Sequence, residues 1–423
     1  MKILWFANTP CGATEKLTGN PVLGGGWLYA LSEELVKHED VELHIAFYWG
    51  AAVDAFTYKG ITYHPILLEG DGNKWGRLVN RFISSRSDKI DRKMLPRLMD
   101  VVNDVKPDLI HIHGSENNFG MVASKTLPCP IVMSIQGLLS LYIYIYFRGY
   151  TKQEISKNEG LREKLLMSGI SMKEKSFRRR GAMEREFFKN IPNIIGRTFW
   201  DKAGSLALNP NRRYYEVGEI MRPEFFSAVW DKKEFSKPFV ISTTISTGYY
   251  KGLETVYHTA KVLKNAGFQF EWQVIGLSEN DLLAHLSEKQ VGKKAKELNI
   301  HLLGRKSAGE MVNLITAADL FVQVSHIENS PNSLGEAMLL GMPIIATFAG
   351  GTASMLENNI DGRLVQDGEP YSLAGMIMEM AADYEQAKAF GEHARQTATQ
   401  RHNPEHVCGQ LLTAYNKIIE HHV

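Results

Sequence analysis

The stretch LFVQVSHIENSPNSLGEAMLLGMPIIA, residues 320–346, has the pattern of a strand, a polar loop, a helix and a second strand. The helix is closed by Gly341 and Pro343, which cannot easily continue it. In open parallel sheets, ligands bind at the carboxyl ends of strands, where the next helix presents unpaired N–H groups and the positive end of its dipole. The segment therefore predicts an α/β fold with an anion site at residues 329–333, where Pro331 suits the first helical turn and Asn329 or Ser330 is the expected cap.

Short apolar runs alternate with helical patterns along both halves of the chain, which is typical of parallel sheets wound with helices. The strands predicted in the first half are Lys2–Ala7, Val41–Tyr48, Leu109–His113, Ile131–Ile135 and Asn193–Gly196. Those predicted in the second half are Phe239–Thr244, Phe270–Ile275, Ile300–Leu303, Leu320–Val324 and Pro343–Ala346. The predicted fold class is α/β, with two Rossmann-like doubly wound domains.

The domain boundary is predicted from composition. Residues 227–238 are polar, charged and end in proline, as linkers often do. From residue 404 onward, apolar side chains recur at steps of three and four, which indicates an amphipathic helix. We therefore predict domains at 1–229 and 230–402, with a C-terminal helix at 403–423 that packs back toward the first domain.

Composition limits the classes of protein that this chain could be. With 44% hydrophobic and 22% charged residues in 423, it matches globular proteins. Its 48 basic and 47 acidic residues give no general attraction to nucleic acid. The cysteines Cys11, Cys129 and Cys408 lack the spacing of a disulfide framework or a zinc site, which fits a reducing cytoplasm. The apolar stretch 131–147 is too short and polar to span a bilayer.

Glu328 and Glu336 bracket the predicted anion site. Ionised carboxylates accept hydrogen bonds from sugar hydroxyls, whereas the alternative is a surface glutamate and a second one favoured by the helix dipole. With seven residues between these glutamates, and with the run ENSPNSLGEAMLLGMPIIAT followed by AGG, the sequence resembles the family-4 glycosyltransferases of the GT-B fold. In that fold two Rossmann-like domains face each other across a cleft.

The resemblance implies roles for the donor side. Glu328 would contact the donor sugar, and Glu336 would hold the ribose hydroxyls of a nucleotide sugar, here expected to be UDP-linked. Backbone near Gly304 and Arg305 would contact the nucleobase. The remaining donor-binding residues implied are Gly25, Gly26, Asn329, Ser330, Asn332 and Ser333. No cofactor or metal is implied, because the nucleotide sugar is itself a substrate.

Lys251 lies in TGYYKGLETVYHTAKVLK, residues 247–264, where a loop runs into an amphipathic helix. The segment is similar to the one that carries the family's donor-phosphate lysine. An ammonium there could stabilise charge that develops on a leaving diphosphate. The arginine often found five or six residues earlier is replaced by Ile245 and Ser246. The alternative is an ordinary solvated lysine in a turn.

In the first half, the candidate acceptor-side residues follow predicted strands. His113 and Glu116 end the strand HIHGSE, where a lining role is favoured over metal ligation because no companion ligand has suitable spacing. Gln136 stands where many family members carry a histidine, and glutamine cannot be a general base. For Arg197, a contact with a phosphate or an acidic partner and an ion pair with a carboxylate such as Asp201 remain open.

Two basic segments surround an aromatic run. Residues 74–97 carry a net charge of +6 and residues 173–189 carry +4, with LYIYIYF at 141–147 between them. Such a combination suits peripheral contact with an anionic inner membrane, whereas the alternative is solvated helices around a buried strand.

The family implies a retaining hexosyltransferase that moves a sugar to a glycan or lipid-linked acceptor in cell-surface polysaccharide biosynthesis. The catalytic candidates are Lys251, Glu328, His113 and Glu116. The alternatives are an epimerase-like GT-B enzyme and a non-catalytic sugar-nucleotide-binding protein, which the changes at residues 136 and 245–246 would suit.

Overall fold

The computed structural model describes residues 1–20, 26–68, 87–160 and 169–422. The chain divides into two compact units. Unit 1 contains Met1–Ile143, Gly160–Ile220 and Asn403–Val423, and unit 2 contains Tyr144–Glu159 and Met221–His402. The first half of the sequence therefore contributes one short segment to the second unit.

Unit 1 is built on a sheet with the strand order β3-β4-β2-β1-β5-β6-β7-β8. All of its neighbouring strands are parallel except the β3–β4 pair. The strands are β1 Lys2–Ala7, β2 Glu42–Trp49, β3 Phe56–Tyr58, β4 Ile61–Leu67, β5 Leu109–His113, β6 Ile131–Ser134, β7 Asn193–Gly196 and β8 Arg213–Glu216.

Unit 2 is built on a parallel sheet with the order β11-β10-β9-β12-β13-β14. The strands are β9 Phe239–Thr244, β10 Phe270–Ile275, β11 Ile300–Leu302, β12 Leu320–Gln323, β13 Ile344–Phe348 and β14 Arg363–Gln366. The order reverses between β9 and β12, so these two strands flank the switch point at which such sheets bind ligands.

Helices connect most of these strands. The helices of unit 1 are α1 Ala13–Thr18, α2 Gly26–Leu35, α3 Lys89–Val105, α4 Leu139–Tyr142, α6 Ile170–Asn190, α7 Phe199–Leu208 and α15 Pro404–Glu420. Those of unit 2 are α5 Lys152–Asn158, α8 Glu224–Ser227, α9 Leu253–Asn265, α10 Leu282–Val291, α11 Ala308–Ala317, α12 Asn332–Leu339, α13 Pro370–Ala382 and α14 Tyr384–Arg401. The 3₁₀ helices are Asn118–Ser124, Tyr249–Lys251, Ala295–Leu298 and Thr352–Ser354.

The fold class predicted from the sequence is confirmed, since both units are parallel α/β sheets wound with helices. Predicted strand bounds agree within two residues wherever a strand was predicted. The strands β3, β4, β8 and β14 were not predicted. β3 and β8 lie at the edges of their sheet, and none of their side chains is fully buried, so they carry a weak apolar signal.

The C-terminal helix α15 is part of the core of unit 1. Its buried side chains Val407, Leu411 and Ile418 belong to the same apolar cluster as Trp5. The indole N–H of Trp5 donates to the hydroxyl of Tyr415 over 2.9 Å. This explains why the chain returns to the first unit after residue 402.

The boundary lies between residues 220 and 221, which differs from the predicted 229/230. Met221, Phe225 and Trp230 are buried in the apolar cluster of unit 2 together with Leu334. The Trp230 indole N–H donates to the carbonyl of Ala318 over 2.8 Å. Residues 221–230 therefore belong to the second unit, although the composition from residue 227 resembles that of a linker.

The aromatic run 141–147 is not a buried strand. It forms the end of α4 and the turns that follow. Tyr144 is 88% exposed, whereas Tyr146 and Phe147 pack against Tyr249, with ring centroids 5.9 and 6.0 Å away. The alternative of a buried strand is wrong, because Tyr144 is exposed to solvent while Tyr146 and Phe147 pack against Tyr249.

The basic segments are only partly described, since residues 74–86 lie outside the described ranges. In α6, Arg178 pairs with Glu174 over 2.9 Å and Lys189 pairs with Glu186 over 2.7 Å. Within the described residues, none of the helices has the length and apolar character needed to cross a bilayer.

Candidate functional site

Two loops at the switch point of unit 2 meet through a lysine and a glutamate. The Lys251 ammonium donates to Oε1 of Glu328 over 2.6 Å. The Ser325 hydroxyl donates to the same oxygen over 2.7 Å. Both partners described for this carboxylate therefore bind Oε1, which leaves Oε2 with lone pairs that can accept hydrogen bonds from a ligand.

The turn that carries Lys251 is fixed by close backbone contacts. Gly252 has a φ of +79°, and a Cβ there would overlap the carbonyl of Val324, so only glycine fits. The N–H of His326 donates to the carbonyl of Tyr250 over 2.8 Å. One main-chain hydrogen bond and one close main-chain approach therefore hold the two loops together beside the ion pair.

The ion pair is partly buried, with side-chain exposures of 22% for Lys251 and 10% for Glu328. Burial disfavours the charged amine, but the negative charge of Glu328 outweighs it and raises the pKa of Lys251. The lysine therefore stays charged at neutral pH. The alternative of a solvated lysine in a turn is not what the structure shows.

The AGG sequence after β13 supports the backbone of Glu328. Gly350 has a φ of +56°, and a Cβ there would overlap the Glu328 carbonyl. The N–H of Gly351 donates to that carbonyl over 2.9 Å. The glycines therefore let a third loop close against the glutamate.

Helix α12 begins directly after Pro331, which is its N-cap with φ −72° and ψ 115°. The prediction that Asn329 or Ser330 caps the helix is wrong, because the rigid proline makes the turn. Asn329 is 2% exposed, and the Ser330 hydroxyl lies 3.4 Å from the Met355 sulfur. Asn332 and Ser333 form the first turn of α12. Asn332 is exposed and Ser333 is half-buried, so an anion could reach both positions.

Glu336 lies in the second turn of α12 and is held by an arginine that the sequence analysis missed. Arg222 donates from Nε to Oε1 over 2.6 Å and from Nη2 to Oε2 over 2.8 Å. The Glu336 side chain is 4% exposed and that of Arg222 is 29% exposed. In the sequence, Arg222 stood out only as the residue before a proline.

The predicted base-pocket residues lie after β11. The Gly304 N–H donates to the Leu277 carbonyl and its own carbonyl accepts from the Gly276 N–H, each over 2.8 Å. The Gly304 N–H is therefore already used within the unit and does not remain for a nucleobase. Arg305 is exposed, and its contact with the nucleobase stays a prediction.

The glycine loop of the first half is mostly outside the described residues. Gly25 falls in the range 21–25, which the structure does not describe. Gly26 is the first residue of α2. The predicted donor contact of this loop stays a prediction.

His113 is deeply buried in unit 1. It is 1% exposed, and its ring lies 4.3 Å from that of Trp5 and 3.8 Å from that of His111. Neither ring nitrogen has a hydrogen-bond partner among the described residues. Burial, together with His111 and the positive charge of Arg197, lowers the pKa of His113 well below its usual value, so the ring is neutral at pH 7.

Glu116 and Gln136 lie on either side of Gly114. A Cβ on Gly114, whose φ is +89°, would overlap the Glu116 carboxyl and lie 3.2 Å from Cδ of Gln136. The Asn8 amide donates to Oε2 of Glu116 over 3.1 Å. Burial raises the pKa of Glu116 to about 7, with the nearby Glu184 charge adding to the effect. This carboxyl can therefore exchange a proton near neutral pH.

Arg197 forms a structural ion pair, but not with Asp201. Its Nη1 donates to Glu219 over 2.7 Å and its Nη2 donates to the Ile135 carbonyl over 2.8 Å. Both members of the pair are buried. Asp201 accepts the backbone N–H of Arg197 instead, over 3.0 Å. The alternative of an ion pair with a nearby carboxylate is therefore what the structure shows, with Glu219 as the partner. The contact of Arg197 with a phosphate or an acidic partner stays a prediction.

Metal ligation was not predicted for this chain. In the part of the chain that the structure describes, His, Cys, Asp and Glu side chains form no group of three able to hold a metal ion. The absence of a metal requirement stays a prediction.

Residues 227–397 match the family described as Glycosyl transferases group 1. This range contains Lys251, Glu328 and Glu336, and it coincides with almost all of unit 2. The second domain belongs to that family. The resemblance drawn from the glutamate pair is thereby confirmed, and unit 2 is called the group 1 domain below.

Relatives with assigned names include glycosyltransferases of amylovoran and colanic acid biosynthesis. The amylovoran biosynthesis glycosyltransferase AmsK of Erwinia amylovora is 28% identical over 31% of this chain and 33% of its own length. N,N'-diacetylbacillosaminyl-diphospho-undecaprenol alpha-1,3-N-acetylgalactosaminyltransferase of Campylobacter jejuni is 24% identical over 76% of this chain and 80% of its own length. The matched region thus spans about a third of AmsK but most of the Campylobacter enzyme.

Solved structures share the fold over almost the whole chain. A sucrose-phosphate synthase from Thermosynechococcus elongatus has a TM-score of 0.70 at 15% identity, covering 99% of both chains. Anabaena HepE, solved in complex with UDP and glucose, has a TM-score of 0.62 at 16% identity, covering 99% of this chain and 100% of its own. At such identities the likeness establishes the fold.

Beneath the ion pair, the group 1 domain contains a second charged cluster that the sequence analysis did not identify. Nε2 of His326 lies 2.5 Å from Oε1 of Glu254, and Nδ1 lies 3.2 Å from Oδ2 of Asp367. Arg148 pairs with Asp367 over 3.0 Å. A Cβ on Gly149 would overlap the Glu254 carboxyl, so segment 144–159 lies directly on this cluster.

The His326 cluster should make the stability of the group 1 domain depend on pH. Burial alone would lower the pKa of His326, but its bonds to Glu254 and Asp367 outweigh burial and raise that pKa above the usual 6.5. The stabilisation is therefore fully present below about pH 6.5 and is lost as pH rises through the folded-state pKa.

We expect His326→Gln to lower the free energy of unfolding by roughly 1–3 kcal/mol at pH 6 and by clearly less at pH 9. Thermal unfolding of both proteins at the two pH values measures this difference. His285→Gln, on the outer helix α10, is the matched control. An equal loss at both pH values would contradict the assignment.

Proposed function

We propose that this protein is a retaining glycosyltransferase that moves a sugar from a UDP-linked donor to a glycan or lipid-linked acceptor in cell-surface polysaccharide biosynthesis. The observation that carries the proposal is the Lys251–Glu328 pair at the switch point of the group 1 domain, next to the N-terminus of α12. The names of the relatives support it, because AmsK serves amylovoran biosynthesis and the Campylobacter enzyme acts on a lipid-linked diphosphate.

The donor is proposed to bind with its diphosphate near Lys251 and the first turn of α12. A positive ammonium and backbone N–H groups would both stabilise the charge that develops as the diphosphate leaves. Oε2 of Glu328 would accept a hydrogen bond from a hydroxyl of the transferred sugar. Glu336 would accept a hydrogen bond from the ribose. HepE, a structure with this fold, was solved with UDP and glucose, which supports a uridine donor.

On the acceptor side, we assign proton transfer to Glu116. Its pKa of about 7 suits a base that removes a proton from an acceptor hydroxyl near neutral pH. His113 is less suited to this role, because a ring that is buried and has a strongly lowered pKa is a weak base. We therefore retain His113 as a packing residue behind the acceptor side.

The pH dependence of transfer tests the role of Glu116. Because the carboxylate is the active form, the rate should rise with pH by about tenfold per pH unit below pH 6 and level off above an apparent pKa of about 7. Glu116→Gln should remove this acid limb, whereas the exposed control Glu186→Gln should keep it. Initial rates between pH 5 and 9 provide the measurement. An unchanged limb in Glu116→Gln would rule out this role.

The proposed location is the cytoplasm, with peripheral contact at the cytoplasmic face of the inner membrane. Phe199 and Leu206 are exposed one above the other on α7, with the exposed Lys202 between them. Sedimentation with anionic phosphatidylglycerol vesicles, compared with neutral phosphatidylcholine vesicles, tests the contact. Equal or no binding to the two kinds of vesicle would contradict it.

The experiment that tests the proposed function is a panel of nucleotide sugars screened by thermal stabilisation and then by transfer. A ligand at 100 times its dissociation constant adds about 2.7 kcal/mol to stability. A UDP-sugar should stabilise the protein and then be consumed with formation of a glycosylated product. Conversion of the donor into an isomeric nucleotide sugar would indicate an epimerase, and binding without turnover would indicate a non-catalytic protein.

A further inference from the structure

The fork between Arg222 and Glu336 suggests a role that neither the family match nor the relatives assign. The two hydrogen bonds, of 2.6 and 2.8 Å, fix both carboxylate oxygens in the plane of the guanidinium. Arg222 is itself held, since its guanidinium lies 4.7 Å from the centre of the Phe225 ring and Nη2 lies 3.5 Å from the Met311 sulfur. The pair is therefore a rigid unit.

We propose that Arg222 is a positioning residue that keeps the Glu336 carboxylate ionised and oriented to accept a hydrogen bond from the ribose of the donor. This inference rests on the proposed function, because it takes Glu336 to be the ribose-binding residue. Arg222 acts through Glu336 and is not itself assigned a contact with the donor.

The burial of Glu336 is the reason that it needs a partner. The side chain is 4% exposed, and a Cβ on the neighbouring Gly335 would crowd Met221 and His402, so the helix is closely packed at this turn. Burial raises the pKa of Glu336, Glu224 raises it further, and Arg222 opposes both effects. Without the guanidinium, a carboxyl in this place would be neutral more often and would also be free to rotate.

The fork leaves acceptor capacity for a ligand. An ionised carboxylate has about four lone-pair positions, and Arg222 uses one on each oxygen. The remaining lone pairs of the two oxygens point away from each other, and the two hydroxyls of one vicinal diol are too close together to reach both. The carboxylate can thus hold the arginine and, on one of its oxygens, a ribose hydroxyl at the same time.

A comparison of UDP with 2′,3′-dideoxy-UDP tests the proposal, because only the ribose hydroxyls differ. Wild-type protein should bind UDP about 10- to 100-fold more tightly, as expected for hydrogen bonds to a charged acceptor. In Arg222→Met the two affinities should differ by no more than about threefold. A purely structural role would weaken both nucleotides equally and leave the ratio unchanged.

Arg363→Met is the matched control. Arg363 also lies over a phenylalanine ring, at 6.0 Å from that of Phe390, but its carboxylate partner Glu379 is exposed and 3.8 Å away. This variant should keep the wild-type ratio. Arg222→Lys, which retains the charge without the fork, should lose part of the preference and replaces Arg222→Met if that variant does not fold.

Isothermal titration of each folded variant with the two nucleotides separates the outcomes. A wild-type ratio in folded Arg222→Met, or in Arg222→Lys where Arg222→Met does not fold, overturns the inference and leaves the proposed function intact. Wild-type protein that binds both nucleotides equally also overturns the inference. Wild-type protein that binds neither nucleotide contradicts the proposed UDP donor itself.

Discussion

Replacing Lys251 with alanine is expected to lower the rate of sugar transfer by about 10²- to 10³-fold. Among the described residues, Lys251 is the only one whose ammonium lies within hydrogen-bond distance of Glu328, and Glu328 lies four residues before the start of α12. Removal of the lysine takes away positive charge where the diphosphate is proposed to leave. It also leaves the Glu328 carboxylate buried beside Ser325 without a counter-charge.

The rate is measured as release of UDP from the donor that stabilises the wild-type protein. Lys294→Ala is the control, because Lys294 forms an exposed pair with Glu288 on the same domain and should leave the rate unchanged. A circular dichroism spectrum and a melting temperature establish that the Lys251→Ala protein is folded. Transfer at more than about a third of the wild-type rate would exclude Lys251 from leaving-group stabilisation.

Replacing Glu219 with alanine is expected to destabilise unit 1 by about 3–5 kcal/mol, because it leaves the Arg197 guanidinium buried without its partner. The two side chains are 0% and 8% exposed and are joined over 2.7 Å. For a domain of this size, the melting temperature should fall by about 10 °C. Thermal unfolding followed by circular dichroism measures this fall.

Two further variants separate the ion pair from general damage. Glu216→Ala removes an exposed glutamate three residues earlier and should change the melting temperature by no more than about 2 °C. The double variant Arg197→Met with Glu219→Met removes both charges and should regain much of the lost stability. If Glu219→Ala melts within about 2 °C of the wild-type protein, loss of the ion-pair partner does not destabilise unit 1 as expected.

The sequence was sufficient to predict the fold class and the loops that carry Lys251 and Glu328. Apolar strands such as Leu320–Gln323 and the glycine–proline stop after α12 are local signals that can be read from the sequence. Lys251 and Glu328 were predicted as separate family positions. Their 2.6 Å contact joins residues 77 positions apart and could be found only in the folded protein.

The parts that the sequence did not predict depend on tertiary packing. An ion pair of Arg197 with a nearby carboxylate such as Asp201 was one of two open alternatives, and its partner in the structure is Glu219. Arg222 gave no local signal, because its partner Glu336 is 114 positions away. Segment 144–159 was expected in the first domain, yet it packs on the second through Arg148 and Gly149. The partner of a buried charged side chain is the group that lies next to it in the folded protein. The periodicity of apolar residues in the sequence contains no information about such contacts.

Amide hydrogen exchange with and without saturating UDP tests the central claim most directly, since that claim places the donor site between the Lys251 turn and the start of α12. Residues 248–253 and 324–336 should exchange more slowly when UDP is bound. Segments elsewhere in the group 1 domain, such as residues 282–291 of α10, should be unaffected. UDP binding that protects other segments and leaves residues 248–253 and 324–336 unchanged would contradict the account.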